Sequence, residues 1–167
     1  MNPTALHVAR AVLPAAYSLL PTQMASPQAS ALLLAIGLQE SRFLVRRQYG
    51  GGPARGWWQF EVGGLEGVLE HPSSRLSATG VLAVLGYAGA TAREVHQALE
   101  HNDVLAAAMA RLLLWTDARL LPQTPRDAGE GWQQYRRTWR PGKPRPETWG
   151  EYFTSAWAVD WPGTTRA

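Results

Sequence analysis

The amino-acid sequence predicts a mostly α-helical protein that forms a single domain. Its 167 residues match the usual size of one domain and are enough to bury a core without disulfides or metal. Helix start signals followed by apolar runs recur along nearly the whole chain. Cysteine is absent, which excludes disulfide frameworks, thiol nucleophiles and cysteine-based zinc sites. We therefore expect one helical domain over residues 1–167 that is large enough to contain a cleft.

The first 25 residues predict an amphipathic helix. Arg10 precedes the apolar run AVLPAAYSLL, which is weakly similar to a secretory signal. However, Pro14 interrupts the run, and Gln23 disrupts the small-residue cleavage pattern before Ala25. A signal segment stays open as an alternative. No segment has the approximately 18 apolar residues that a bilayer-spanning helix needs, so we expect no membrane span.

Two buried helices are expected in the middle of the chain. Ser26 followed by Pro27 is a start signal, and good helix formers continue to Glu40. Because this segment is apolar all round, it indicates a central helix. The second buried helix is the alanine-rich run that Asn102 is expected to cap. A capping box at residues 91–94 predicts a further helix before it.

Two further helices and two irregular segments complete the prediction. Asp127 with Glu130 is expected to cap the helix GEGWQQYRRTW, and Pro146 to open a last helix. Residues 49–60 contain four glycines and a proline, which indicates a loop with unusual dihedral angles or a close approach to a ligand. Residues 140–146 form a basic connector stiffened by prolines.

The charge of the chain is basic and is carried almost entirely by arginine, since Lys143 is the only lysine. A formal net charge of +3 suits polyanions, including nucleic acid, anionic membranes and the acidic bacterial cell wall. Eight tryptophans add indole surface that stacks on bases and on sugar rings, although a tryptophan-rich core is the simpler explanation.

A single acidic residue, Glu40, ends the apolar run AIGLQESRF. A carboxylate beside buried leucines is costly if it stays charged without a partner, so such a residue is solvated, paired, or used for its proton. Partial burial and the negative end of a helix dipole both raise the pKa of a carboxyl, as a general acid requires. A solvated glutamate at a helix end is the simpler alternative.

Two segments together resemble the signature of the lysozyme-like lytic transglycosylases: ESRF at 40–43 and GGPARGWWQFE at 51–61. In that family Glu-Ser-x-Phe ends the catalytic helix, and a Gly-x-Gly-Leu-Met-Gln type segment forms the cleft wall. HNDVLAAAMARLLL at 101–114 resembles the family's asparagine-containing helix behind the cleft, and GWQQYRRTW at 131–139 falls where the family has a Tyr-Asn segment. Here the asparagine of that segment is absent, and two tryptophans stand for Leu-Met.

The resemblance covers roughly residues 27–139. It implies a lysozyme-like helical fold of the lytic transglycosylase or goose type with a glycan cleft, in which residues 140–167 form a C-terminal helical extension. Short members without a signal are similar to the muralytic proteins of bacteriophages and prophages.

Carried over residue by residue, the resemblance assigns roles to several positions. Glu40 is the acid and then the base, and Ser41 and Gln59 orient the substrate or Glu40. Tyr135 lines the cleft floor near the carboxylate, and Gly56 lets the loop backbone approach the sugar. Each has a structural alternative: Ser41 as a helix-end hydrogen bonder, Gln59 as a loop residue and Tyr135 as core.

The two adjacent tryptophans, Trp57 and Trp58, are expected to divide their roles. Neighbouring residues of an extended segment point to opposite sides, so one should face the cleft and contact substrate while the other enters the core.

The reaction implied by the resemblance needs a single carboxylate. Glu40 protonates the bridging oxygen between muramic acid and the following glucosamine, then accepts the proton of the muramic acid's primary hydroxyl, which closes an anhydro ring. A hydrolytic glycosidase generally needs two carboxylates. Glu61 is the best candidate for the second, with a surface glutamate as the simpler interpretation, so a lysozyme-type hydrolase stays open.

The resemblance implies bacterial peptidoglycan strands as the partner, with other virion proteins if the chain is a virion component. We expect no cofactor. We also expect no metal, because the four histidines (His7, His71, His96 and His101) lack metal-ligand spacing and should take surface or capping roles. Such a protein is made in the host cytoplasm and acts on the cell wall, either after release or from a virion.

Two alternatives without catalysis stay open. The segment YRRTWRPGKPRPETW, at 135–149, interleaves arginines with aromatic residues, a pattern that suits a module binding single-stranded nucleic acid. It suits the rim of a glycan cleft equally well. The other alternative is a structural virion protein that keeps the fold without the chemistry.

Overall fold

The computed structural model describes residues 1–161, and these residues are mostly helical. Nine α-helices in this range are joined by short turns and irregular segments, and the range contains isolated β-bridges but no β-strand. The described residues form one domain, so the predicted mostly-α class is confirmed. None of these helices combines the length and the apolar character needed to cross a bilayer.

The N-terminal segment is helical in three consecutive pieces. Helix α1 covers Pro3–His7, a π-helical turn covers Val8–Val12, and α2 covers Leu13–Tyr17. Because Pro14 has no backbone N–H to donate, it lies where the hydrogen-bond pattern changes. One face is buried, which confirms the predicted amphipathic helix; its buried residues are Ala5, Val8, Ala9, Val12, Leu13 and Ala16.

Helix α3 (Pro27–Ser41) is the central element of the domain. Twelve of its fifteen residues are buried, as its all-round apolarity predicts. The Ser26 side chain accepts a hydrogen bond from the Ala29 N–H, so the predicted N-cap is confirmed. Helix α7 (Asp103–Trp115) packs against α3 as a second buried helix, and the Asn102 side chain caps it through the Leu105 N–H.

Three helices follow the glycine-rich loop: α4 (Val62–Glu70), α5 (Arg75–Val84) and α6 (Ala92–Ala98). Helices α4 and α5 pack against α7 and against each other, and α6 packs against α4. Thr91 and Glu94 form the predicted capping box at the start of α6. The structure adds α4 and α5, which no start signal in the sequence identified. Helix α4 matters for the site because it follows directly after the glycine-rich loop.

The C-terminal helices are α8 (Ala128–Trp139) and α9 (Pro146–Trp157). Pro146 opens α9 as predicted, but the predicted Asp127 cap of α8 is wrong. Asp127 occupies the N-cap position, but its side chain makes no hydrogen bond to the first turn of α8. Its Oδ2 instead accepts the backbone N–H groups of Gln123 and Thr124, which directs the carboxylate to the preceding turn.

Helix α9 belongs to the core and is not an appended element. It packs along α3, with Trp149, Phe153 and Ala156 buried. Gly131 of α8 allows the close contact, since a Cβ there would lie 2.6 Å from Phe153. Within 140–161, the segment expected to extend the domain therefore helps to fix α3. Residues 162–167 of that predicted extension lie outside the described residues.

Gly37 of α3 provides a test of how tightly this core is packed. A Cβ at this position would overlap the ring of Phe43, whereas a Cβ on Gly150 of α9 would have no neighbour within 4 Å. We predict that Gly37→Ala lowers the free energy of unfolding by about 1–3 kcal/mol through overpacking. Gly150→Ala should instead raise it by about 0.5–1 kcal/mol, because alanine favours an exposed helix.

Urea unfolding of both variants measures these values. Similar stabilisation by the two substitutions would show that Phe43 does not lie over Gly37.

Candidate active site

The end of α3 reverses the chain and leaves Glu40 in the last helical turn. Arg42 and Phe43 both adopt the left-handed conformation, each with φ of 54°. The Phe43 ring turns back over Gly37 and makes edge contacts with Trp57 and Trp58 at 5.9 Å between ring centroids. This buried aromatic cluster fixes the direction in which the end of α3 points.

The loop before α4 is anchored to two helices. The Trp58 indole N–H donates to the Leu33 carbonyl of α3 at 2.8 Å, and the Ser41 hydroxyl donates to the Trp57 carbonyl at 2.7 Å. From α8, the Trp139 indole N–H donates to the Trp58 carbonyl at 2.9 Å. The loop is therefore a fixed wall beside Glu40.

The expectation that one of the two tryptophans faces the cleft is wrong. Trp57 is 4% exposed and Trp58 is fully buried, and neither is among the described residues that line the cleft. The reason is local geometry. Gly56 and Gln59 have positive φ, and the Gln59 N–H bonds to the Gly56 carbonyl, so the segment is a tight turn to which strand alternation does not apply.

The role expected for Gly56 also needs correction. Its φ is +71°, and a Cβ at this position would lie 2.9 Å from the Leu99 carbonyl oxygen and 3.3 Å from Ala106. Gly56 therefore lets the loop pack against the end of α6 and against α7, and it is a buried residue that is not among the described residues lining the cleft.

Glu40 is half-buried and accepts a hydrogen bond of 2.6 Å from the Tyr135 hydroxyl. Burial raises the pKa of Glu40 from 4.5 to about 7. The Tyr135 hydrogen bond and the charge of Arg145 oppose this rise, and the charge of Glu61 adds to it. The expected partial burial and raised pKa of Glu40 are therefore confirmed, and the carboxyl exchanges its proton near neutral pH.

Tyr135 is fixed in its position beside Glu40. Its ring is buried and stacks on Trp149 of α9, with 5.4 Å between centroids and 11° between planes. Burial and the neighbouring Glu40 raise the pKa of Tyr135 far above its usual value. The phenol therefore keeps its proton and serves as a hydrogen-bond donor to the carboxylate.

A hydrogen-bonded clamp holds the start of α9 to the residue before Glu40. Gln39 donates from Nε2 to the Arg145 carbonyl at 2.9 Å, and the Arg145 guanidinium donates to the Gln39 carbonyl at 2.7 Å. Thr148 donates to Gln39 Oε1 at 3.0 Å. The clamp keeps a permanent positive charge near the carboxyl of Glu40.

The cleft around Glu40 has a volume of about 1480 Å³ and is bounded by the end of α3, the loop, α4, α8 and the connector before α9. Gln59 lines it, but the Gln59 amide donates to the Gly56 carbonyl. Ser41 also lines it, although its buried hydroxyl is bonded to Trp57. Glu61 is an exposed lining residue at the start of α4. Other polar lining residues are Arg42, Gln48, His71, Thr116, Asp117, Arg119, Arg137, Thr138, Arg140 and Lys143.

Two exposed residues with large side chains border the cleft and were not predicted from the sequence. Tyr49 is 81% exposed and Leu44 is 65% exposed, and both border the cleft. Tyr49 stands at the start of a short turn whose next two residues, Gly50 and Gly51, have positive φ. The glycine run next to Tyr49 was the sequence signal for an exposed loop. Only the fold shows that Tyr49 is the exposed aromatic residue of this segment and that Trp57 and Trp58 are buried.

The histidines do not all take surface or capping roles. His7, His71 and His101 are exposed, but the prediction is wrong for His96, which is buried with Nε2 2.7 Å from the Phe60 carbonyl oxygen. Because a carbonyl only accepts, Nε2 of His96 carries the proton. Within residues 1–161, no group of three or more His, Asp or Glu side chains is arranged to hold a metal ion.

No family model, curated protein or solved structure matches this chain. The geometry of the site itself therefore defines what it can do chemically. That geometry is a half-buried carboxyl that titrates near neutrality, held by a protonated phenol and facing a broad cleft.

Proposed function

We propose that the protein is a peptidoglycan-degrading enzyme that cleaves the β-1,4 bond between N-acetylmuramic acid and the following N-acetylglucosamine. It acts as a lytic transglycosylase, forms anhydro-muramic ends and uses no cofactor. The observation that carries this proposal is Glu40 itself, a carboxyl with a pKa of about 7 that is hydrogen-bonded to Tyr135. The cleft volume supports a polymeric substrate, since sites for small molecules occupy about 300–1,000 Å³.

In the first step Glu40 acts as a general acid. Near pH 7 a large share of the Glu40 carboxyl is protonated, so it can give its proton to the bridging oxygen. The bond between that oxygen and the anomeric carbon of muramic acid breaks, and the glucosamine leaves with a free 4-hydroxyl. Positive charge develops at the anomeric carbon while Glu40 becomes a carboxylate.

In the second step the Glu40 carboxylate acts as a base. It takes the proton from the primary hydroxyl of the same muramic acid, whose oxygen attacks the anomeric carbon and closes the anhydro ring. No water is consumed, and the attack gains from being intramolecular. Tyr135 stabilises the carboxylate by its hydrogen bond, and Arg145 does so by its charge.

A lysozyme-type hydrolase on the same site is the alternative. Glu61 lines the cleft, and its charge acts on Glu40, so it is placed to activate a water molecule. We favour the transglycosylase because Glu61 is exposed at the edge of the site, whereas Glu40 has partners that suit both proton transfers.

The biological setting extends the same proposal. The resemblance of residues 40–43 and 51–61 to phage and prophage muralytic proteins supports an endolysin or a virion-associated enzyme that acts on the cell wall. A nucleic-acid-binding module or a structural virion protein without catalysis are the alternatives, and both predict that Glu40 is dispensable.

We predict that the wild-type protein releases muropeptides with anhydro-muramic ends, each lighter by one water than a hydrolytic product. Glu40→Gln should abolish release of muropeptides, because the amide of glutamine is not an acid that can protonate the bridging oxygen. Glu61→Gln should keep most activity, because the attacking hydroxyl belongs to the substrate. Mass spectrometry of fragments released from purified peptidoglycan measures all three.

Glu61→Gln is the matched control for Glu40→Gln, since both remove one cleft carboxylate. Reducing-end products together with an inactive Glu61→Gln would establish the hydrolase. Activity of Glu40→Gln at a rate near that of the wild type would reject the site.

Loss of activity in Glu40→Gln should not come from unfolding. The folded pKa of Glu40 is above its ordinary value, so the contribution of Glu40 to the free energy of unfolding falls as the pH rises from about 4.5 to about 7. Glutamine removes this loss, so the variant should unfold at an equal or higher urea concentration at pH 8.

We predict that Tyr49, and neither tryptophan, stacks on a sugar ring. Tyr49→Ala should weaken binding of a glycan strand severalfold, the loss expected of one aromatic contact, without changing stability. Leu120→Ala is the control, because Leu120 is 89% exposed and is not among the described residues that line the cleft. Equal affinity of the two variants in a titration monitored by tryptophan fluorescence would contradict this role.

A further inference from the structure

We propose that the cleft selects glycan strands whose peptide stems carry free carboxylates, and that Arg42, Arg140 and Lys143 provide this selection. The inference rests on the proposed function, because it concerns the substrate of the same cleft. It adds a binding site for an anionic substituent to the catalytic site at Glu40.

The first observation is the charge of the cleft. Six basic side chains line it, against three carboxylates, those of Glu40, Glu61 and Asp117. Near neutral pH Glu40 is partly protonated, which increases the positive excess. The basic lining residues are Arg42, Arg119, Arg137, Arg140, Lys143 and Arg145.

The second observation is that only half of these cations are used within the fold. Arg137 and Arg119 share Asp117, at 3.0 Å and 3.7 Å. Arg145 donates to the Gln39 carbonyl. By contrast, the exposed side chains of Arg42, Arg140 and Lys143 form no hydrogen bond or ion pair with any residue in 1–161. Their charges are available to a ligand.

The third observation is that these three cations lie in the lining of the same cleft as Glu40, on backbone that is anchored close by. Arg42 directly follows α3, and its carbonyl accepts a hydrogen bond from the Asn2 side chain at 2.6 Å. Arg140 directly follows Trp139, the last residue of α8, whose indole is bonded to the loop. Lys143 lies two residues before Arg145, whose guanidinium is bonded to Gln39. Each cation follows or precedes an anchored residue of the site.

The chemistry of the strand explains why carboxylates are the ligand. The sugar backbone of an intact, peptide-bearing strand is neutral, so cations gain little from it, whereas the stems end in carboxylates. Charges around a cleft raise the local concentration of an oppositely charged ligand and set its orientation. A nucleic acid is less favoured, because its continuous phosphates would also meet Glu40, Glu61 and Asp117 in the same cleft.

The test compares two forms of one ligand. Soluble, uncross-linked glycan strands are prepared with free stem carboxylates, and part of the sample is converted to neutral amides with carbodiimide and ammonia. Binding is measured in the Glu40→Gln background so that the strands stay intact. We expect the free-carboxylate strands to bind about tenfold more tightly, the combined effect of three solvent-exposed ion pairs, with a preference that shrinks as salt increases.

The decisive variant changes Arg42, Arg140 and Lys143 to glutamine together. In this variant the ratio of the affinities for free-carboxylate and amidated strands should fall to near one. The matched control changes Arg10, Arg93 and Arg126 to glutamine, which removes the same net charge. These three residues are exposed and are not among the described residues that line the cleft, so the control should keep the preference for free-carboxylate strands. Equal binding of both strand forms, or a preference that survives the cleft variant, overturns the inference.

Binding and cleavage are measured separately, so the carboxylate site and the enzymatic function can fail independently. Charge preference in binding without any cleavage by the wild-type protein would support the carboxylate site and reject the enzyme. Tighter binding of a single-stranded oligonucleotide than of the free-carboxylate strands, lost in the cleft variant, would overturn the inference in favour of nucleic acid.

Discussion

The hydrogen bond between Tyr135 and Glu40 is the interaction on which the site depends, because it joins two helices from distant parts of the chain. Burial alone makes an ionised glutamate unfavourable, and the protonated phenol and the guanidinium of Arg145 partly compensate for it. The balance gives a carboxyl that holds a proton near neutrality and can also release it. A stronger compensation would lower the pKa of Glu40 and leave less of the proton donor near neutral pH, and a weaker one would raise the pKa and leave less of the carboxylate base.

The rest of the fold keeps this pair in position. Trp149 of α9 stacks on Tyr135, and the Gln39–Arg145 clamp joins the same helix to α3. On the other side, the indole of Trp58 bonds the loop to α3 and the indole of Trp139 bonds it to α8, so these tryptophans hold the wall of the cleft in place. If the proposed function holds, substrate recognition falls to the exposed residues of the cleft rim. Under the proposed function, this separates a rigid acid from adaptable substrate contacts.

The sequence predicts those features that depend on neighbours along the chain. Ser26 with Pro27 starts the central helix, the capping box starts α6, and the apolar run places Glu40 at the end of a buried helix. Prediction from the sequence fails for features that depend on contacts between residues far apart in the chain. Positive φ at Gln59, a non-glycine residue, turns Trp57 and Trp58 into the core, and Gly56 is required by Leu99, which lies far along the chain. The Arg145 clamp joins residues 106 positions apart and has no local signal.

Titration of the Glu40 side chain tests the central claim most directly. Carbon-13 labelling of the glutamate carboxyls, with the Glu40 resonance assigned by its absence in Glu40→Gln, follows the ionisation of this group alone. We predict a midpoint near pH 7, because burial outweighs the stabilisation of the carboxylate by Tyr135 and Arg145. A midpoint near 4.5, the ordinary value, would show that Glu40 is an ionised surface residue and would contradict its role as a proton donor.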